Sequence, residues 1–126
     1  MGVIKDAETG QRGYVITGDV SYLAPYNESL PAIAGAVTNL SELTSQNAAQ
    51  RALLEQLREP LRRKLAELAE TVELRRTEGL EAAQRVVLTN RGASEMDSVR
   101  NLLQQMHAEQ SRQLRHQLSQ SADNAR

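Results

Sequence analysis

The chain has 126 residues, enough for one domain, and a net charge of −1 with acids and bases interspersed along it. That balance excludes the basic stripe of a nucleic-acid binder. The absence of Cys excludes disulfides and thiolate metal ligands without fixing the compartment. The apolar residues are mostly Leu, Ala and Val, with no Phe or Trp and three Tyr. Leu and Ala enter helices at low conformational cost, whereas strands favour β-branched and aromatic residues, so an all-α chain is expected.

The first helix is expected over residues 3–17, with Val3, Ile4, Ala7 and Tyr14 on one face, Gln11 between them and Gly18 as its stop. Gly10 and Gly13 lie inside it at ~1 kcal/mol each relative to Ala. They are read as points of close helix packing, or else as a pocket wall or joint. The chain opens almost at once on this amphipathic pattern without an N-cap, as a helix does whose upstream part is missing. No signal-peptide core follows Met1.

Asp19 reads as the next N-cap, opening a helix over 20–44. Its seam is Tyr26, Leu30, Ile33, Val37 and Leu40, in alternating steps of four and three. Pro25 is tolerable near the start; Pro31 marks a kink or the true beginning. Thr44 to Asn47 is a short polar turn, which implies antiparallel neighbours. A third helix over 48–77 carries the stripe Leu54, Leu57, Leu61, Leu65, Leu68 and Val72, with a bend expected at Pro60. Glu59, Arg62, Arg63, Lys64, Glu67, Glu70, Glu73, Arg75 and Arg76 read mostly as its solvated face.

Gly79 interrupts the pattern before a short helix over 80–88. The turn Thr89-Asn90-Arg91-Gly92 offers Asn90 or Gly92 for positive φ. Ser94 reads as the cap of a last helix over 94–118, with Asp97 three residues on and Met96, Val99, Leu103 and Met106 continuing the seam. Leu114 and Leu118 persist in a polar stretch, and the tail from Ser119 is expected to fray. At ~1.5 Å per residue the second, third and last helices each reach roughly 37–45 Å and the first only roughly 22 Å. The expected fold is an antiparallel up-down four-helix bundle with the first helix truncated.

The run Asp6-Ala7-Glu8-Thr9-Gly10-Gln11-Arg12-Gly13-Tyr14, followed by Thr17-Gly18-Asp19, Tyr22-Leu23 and Pro25-Tyr26, closely resembles the signature of a CHASE-type domain (cyclase/histidine-kinase-associated sensory extracellular), third class. Leu74-Arg75-Arg76 before a glycine, Ala82-Ala83 before Val86-Val87, and Asn90-Arg91-Gly92 before Met96-Asp97 and Arg100 fit the same resemblance, which covers nearly the whole chain. It implies a helical bundle outside the cytoplasmic membrane, between two transmembrane helices, on a histidine kinase, diguanylate cyclase or chemoreceptor. In that family a long helix leads from the first membrane span into the Asp6–Tyr14 block, and only its last part stands here.

No cofactor or metal site is expected. His107 and His116 lie too far apart for the i, i+3 or i, i+4 spacing of helical ligands, and Gly10-Gln11-Arg12-Gly13 lacks the Lys and Ser/Thr of a phosphate loop. The candidate ligand or signalling residues are Asp6, Glu8, Arg12, Tyr14, Tyr22, Tyr26, Asp97 and Arg100. Glu8 and Arg12, at i and i+4, read as an exposed ion pair worth ~0.3–0.5 kcal/mol. They read alternatively as a polar layer in which Arg12 meets Asp97 and fixes helix register. The three Tyr near the Gly18 turn either plug that end of the bundle or contact a ligand.

The expected function is a non-catalytic, periplasmic sensor domain of a bacterial inner-membrane receptor, foremost a two-component histidine kinase. It would act as a homodimer and pass an unknown small-molecule or protein stimulus through helix shifts into flanking membrane spans that this chain does not include. The competing readings are a spacer or dimerisation module without a ligand, the ligand domain of a chemoreceptor or diguanylate cyclase, and a cytosolic helical adaptor.

Overall fold

The computed structural model describes residues 2–124, and every element in it is helical. Helix α1 (Gly2–Thr17) ends where Gly18 takes φ +69°, a left-handed conformation that glycine adopts without a Cβ penalty. The Asp19 side chain then accepts from Ser21 N–H at 2.9 Å and caps a 3₁₀ turn, Val20–Tyr22. Helix α2 (Leu23–Leu43) follows, with Pro31 inside it and exposed. A turn over Thr44–Gln46 leads to Asn47, which accepts from Gln50 N–H at 3.0 Å and caps α3 (Ala48–Glu78). Gly79, at φ +93°, separates α3 from the short α4 (Leu80–Val87). The last helix, α5, is Arg91–Asn124.

Pro60 lies inside α3, which is one helix from Ala48 to Glu78. Both ends of α5 depart from the sequence reading. Ser94 does not cap α5. Asn90 takes the positive φ of +59°, Thr89 Oγ1 accepts from Arg91 N–H at 3.3 Å, and Ser94 N–H already donates to Asn90 O at 3.0 Å. Asn tolerates the left-handed region because its short polar side chain bonds locally, so the helix starts three residues early and Ser94 lies within its first turn. At the far end α5 continues helical through Asn124 instead of stopping at Leu118.

By ~1.5 Å per residue α3 and α5 span ~46 and ~51 Å, α2 ~32 Å and α1 ~24 Å. The second helix is shorter than expected because its first three residues are spent on the 3₁₀ turn.

Side-chain contacts fix the directions. Gly10 packs on the backbone of Tyr22 and Tyr26, so α1 and α2 run antiparallel. Glu8 meets Lys64, Gln11 meets Thr71, and Val15 O meets Arg75, so α1 and α3 run parallel. Gln50 donates to Met106 O at 2.8 Å while Glu67 lies against Gly92, so α3 and α5 run antiparallel. The result is an up-down bundle of four helices, α1, α2, α3 and α5, with α4 tucked against α3.

One core joins all four: Ile4 and Ala7 of α1, Tyr26 and Ile33 of α2, Leu54, Leu57, Leu61 and Leu68 of α3, and Met96, Val99, Leu102 and Met106 of α5. The expected seam residues Leu30, Val37, Leu40, Leu65, Val72 and Leu103 pack half-buried around it. Leu102, which the sequence seam omits, is buried in Leu103's stead. Gly10 behaves as a point of close approach, because a Cβ there would sit 2.9 Å from Tyr22 O and Tyr26 N. No described helix is long and apolar enough to cross a membrane.

Candidate functional site

The bundle does not close evenly. Among the described residues no Cα of α1 comes within 8 Å of a Cα of α5, although both helices pack on α3. The gap is a cleft of about 840 Å³, within the size range of small-molecule sites. Helix α1 forms one wall through Glu8, Gln11, Arg12 and Val15, and α5 forms the other through Met96, Asp97, Arg100 and Leu103. The floor is α3, through Lys64 and Glu67.

The floor holds an unexpected feature. Lys64 and Glu67, read from sequence as part of a solvated face, each keep only 5% of their side-chain surface exposed. Lys64 Nζ lies 3.1 Å from Glu8 Oε2 across the α1–α3 interface and 3.5 Å from Glu67 Oε2 one turn along its own helix. Glu8, 14% exposed, also receives Arg12 at 3.6 Å. Glu67 is covered by α5 at Gly92, where a Cβ would fall 2.5 Å from Glu67 Oε2. That oxygen makes no hydrogen bond among the described residues. The Lys64 contact at 3.5 Å is an ion pair, too long for hydrogen-bonding geometry. The buried trio therefore carries two carboxylates and one ammonium.

Above it, Gln11 Nε2 donates to Thr71 Oγ1 at 2.9 Å, and Thr71 Oγ1 donates to Glu67 O at 2.6 Å. These bonds pair the Gln11 amide nitrogen and the Thr71 hydroxyl, both on buried residues, and tie α1 to α3 beside the trio. One turn further, the half-buried Arg75 donates from Nε to Val15 O at 2.9 Å. It places a cation at the C-terminus of α1, where the helix carbonyls are unpaired.

The eight residues singled out by sequence divide sharply. Glu8 is central. Arg12, Asp97 and Arg100 line the cleft, but Arg12 does not meet Asp97 as the polar-layer reading required. Arg12 is 72% exposed on Glu8, and Asp97 pairs with Arg100 of its own helix at 3.1 Å. The cleft holds the α1 and α5 walls apart, so each charge finds its partner one turn away instead. Asp6 is exposed and outside the cleft. Tyr14 and Tyr26 are buried, and desolvation pushes the Tyr26 hydroxyl above its ordinary value. Tyr22 is half-exposed, its ring against Gly13. The three tyrosines thus pack the α1–α2 end of the bundle and are absent from the cleft lining.

Sequence reasoning missed Lys64, Glu67, Gln11 and Arg75 as site or linking residues. Lys64, Glu67 and Arg75 sit on α3 among like-looking charges, and only the approach of Glu8 and Gly92 marks the first two as internal; Gln11 reads on α1 as one polar residue within an apolar face.

Comparison with known proteins agrees with this fold. The chain is similar to the sensor domain of histidine kinase HK9 from Rhodopseudomonas palustris, whose crystal structure aligns with a TM-score of 0.82 at 25% sequence identity over 90% of this chain and 90% of that one. No curated protein matches. The sequence profile of the CHASE3 domain matches residues 3–120. With a match over nearly all its length, and with a kinase sensor domain as its structural counterpart, the chain belongs to the CHASE3 domain family.

Proposed function

We propose that the chain is the extracytoplasmic, periplasmic sensor of a bacterial transmembrane histidine kinase, non-catalytic itself, and that it relays a stimulus as a shift of α5 against α1 and α3. The observation that carries this is the buried Glu8–Lys64–Glu67 trio. It links α1 to α3 and lies under α5 at Gly92. A close-packed interior shifts between discrete arrangements more readily than it deforms smoothly, and a small slide of α5 along α3 would move Gly92 off Glu67 and let these ion pairs rearrange.

The directions of the helices support the same reading. Because α1 is parallel and α5 antiparallel to α3, the start of α1 and the end of α5 point toward the same end of the bundle, and α5 reaches the start of α3 there, where Asn47 bonds Gln113. Two membrane spans on one side require that arrangement. Beyond Gln113, α5 runs a further ~16 Å, with Leu114 and Leu118 exposed one turn apart. We read that stripe as the seam of a homodimer. A spacer without a ligand remains the competing reading, favoured by the intrahelical pairing of most surface charges.

The test is phase. In the full receptor in membrane vesicles, one residue inserted after Asn124 rotates whatever follows by ~100°, whereas seven residues return it to within ~20°. Autophosphorylation is expected to be locked on or off by the single insertion and to stay stimulus-responsive with seven. Equal behaviour of both insertions would rule out relay through α5.

A further inference from the structure

The charges of the cleft are arranged by depth. At its floor the trio carries a net negative charge, and Glu67 Oε2 is buried without a hydrogen bond among the described residues. A buried carboxylate oxygen left without a donor costs free energy that a bound donor recovers. Toward the mouth stand the guanidinium groups of Arg12 on one wall and Arg100 on the other. Both are exposed, and among the described residues each meets an acid of its own helix, at 3.6 Å and 3.1 Å. The Arg100–Asp97 pair is exposed and contributes little, so Arg100 can turn to a ligand at small cost, and Arg12 can do so while Glu8 keeps Lys64 as its partner at 3.1 Å. Between floor and mouth, Val15, Met96 and Leu103 supply an apolar surface.

A ligand that complements this gradient carries an ammonium at one end and a carboxylate at the other. We propose that the cleft binds a small amino acid, its ammonium on the Glu67 carboxylate and its carboxylate on Arg12 and Arg100, with its side chain against Val15, Met96 and Leu103. The site takes one wall from α1 and one from α5, two helices whose Cα atoms stay more than 8 Å apart among the described residues. Occupancy therefore bridges the pair whose relative position the relay needs to change. This inference rests on the sensor reading above and names the stimulus.

The 126-residue chain is screened by thermal denaturation against each standard L-amino acid, with alkylamines and alkyl carboxylates of matching length as half-ligands. Whatever raises the melting temperature is then titrated by calorimetry. At least one amino acid is expected to raise it saturably, since a ligand that binds only the folded form stabilises it. The half-ligands, and the variants Glu67→Gln and Arg100→Gln, are expected to bind about 10- to 100-fold more weakly. If Glu67→Gln does not fold, Arg100→Gln and Arg12→Gln, at exposed positions, decide the matter by the same titration. The proposal is overturned if no amino acid shifts the transition, if a carboxylate without an ammonium binds as tightly, or if both arginine variants titrate like the parent. A receptor that passes the insertion test yet ignores every amino acid retains the sensor reading and loses this one.

Discussion

Lys64 shows how a single side chain changes meaning between sequence and structure. On α3 it is one charge in an alternating row, and its neighbours Arg62 and Arg63 do behave as that row suggests, both pairing with Glu59 in solvent. Lys64 points instead into the α1–α3 interface, where its ammonium faces Glu8 and Glu67. Removing one partner of a buried ion pair strands the other's charge, at about 3–5 kcal/mol. Lys64→Met is therefore expected to lower the unfolding free energy by about that amount in urea denaturation, whereas Arg63→Met, at an exposed position, is expected to change it by less than about 1 kcal/mol. Glu59 offers a pH test of the solvated face. Hydrogen bonding from Arg62, helped by the charges of Arg62 and Arg63, holds its carboxyl down from 4.5 to about 2. Between those values the unfolded chain binds the proton and the folded one does not, so stability rises with pH there. The contribution is complete above pH 4.5 and lost as pH falls through about 2. The gap in urea midpoint between the parent and Glu59→Gln is expected to close across that window and to shrink in high salt; a gap independent of pH would contradict the pairing.

At the scale of the helix, the packing is set as much by what is missing as by what is present. Gly10 lets α1 lie directly on the backbone of Tyr22 and Tyr26, with no flexible side chain to yield. Ala there gains ~1 kcal/mol of helix propensity but forces the helices apart, and overpacking of this type costs ~1–3 kcal/mol. Gly10→Ala is expected to destabilise on balance in thermal denaturation. Gly13→Ala meets only the half-exposed Tyr22 ring, which can swing away, and is expected to be near neutral. Equal effects of the two would mean that α1 and α2 are not packed as described. Most of this was legible in the residues. The leucine stripes, the Gly18 stop, the Asp19 cap and the glycines as contact points all follow from local chemistry. The start of α5 was not, because Ser94 looked like a cap while Asn90 was free to take the left-handed turn. Neither were Lys64 and Glu67, because burial of a charge is decided by elements fifty-six and twenty-five residues away, at Glu8 and Gly92.

At the scale of the molecule, the fold pairs a rigid side with an open one. The leucine core binds α1, α2, α3 and α5 together, while α1 and α5 stay apart over a charged cleft. The start of α1 and the end of α5 point toward the same end of the bundle, so a change in the α1–α5 spacing would be delivered toward the membrane spans of the proposed receptor. The trio at the floor of the cleft ties α1 to α3, and α5 packs on its Glu67 at Gly92. The most direct measurement is autophosphorylation of the full receptor in membrane vesicles carrying Glu8→Gln or Lys64→Met, each checked for folding by circular dichroism. The expected result is a shifted basal output together with a reduced response to stimulus, in both variants and in the same direction. A folded receptor whose basal and stimulated outputs both match the parent would contradict a relay through these three residues.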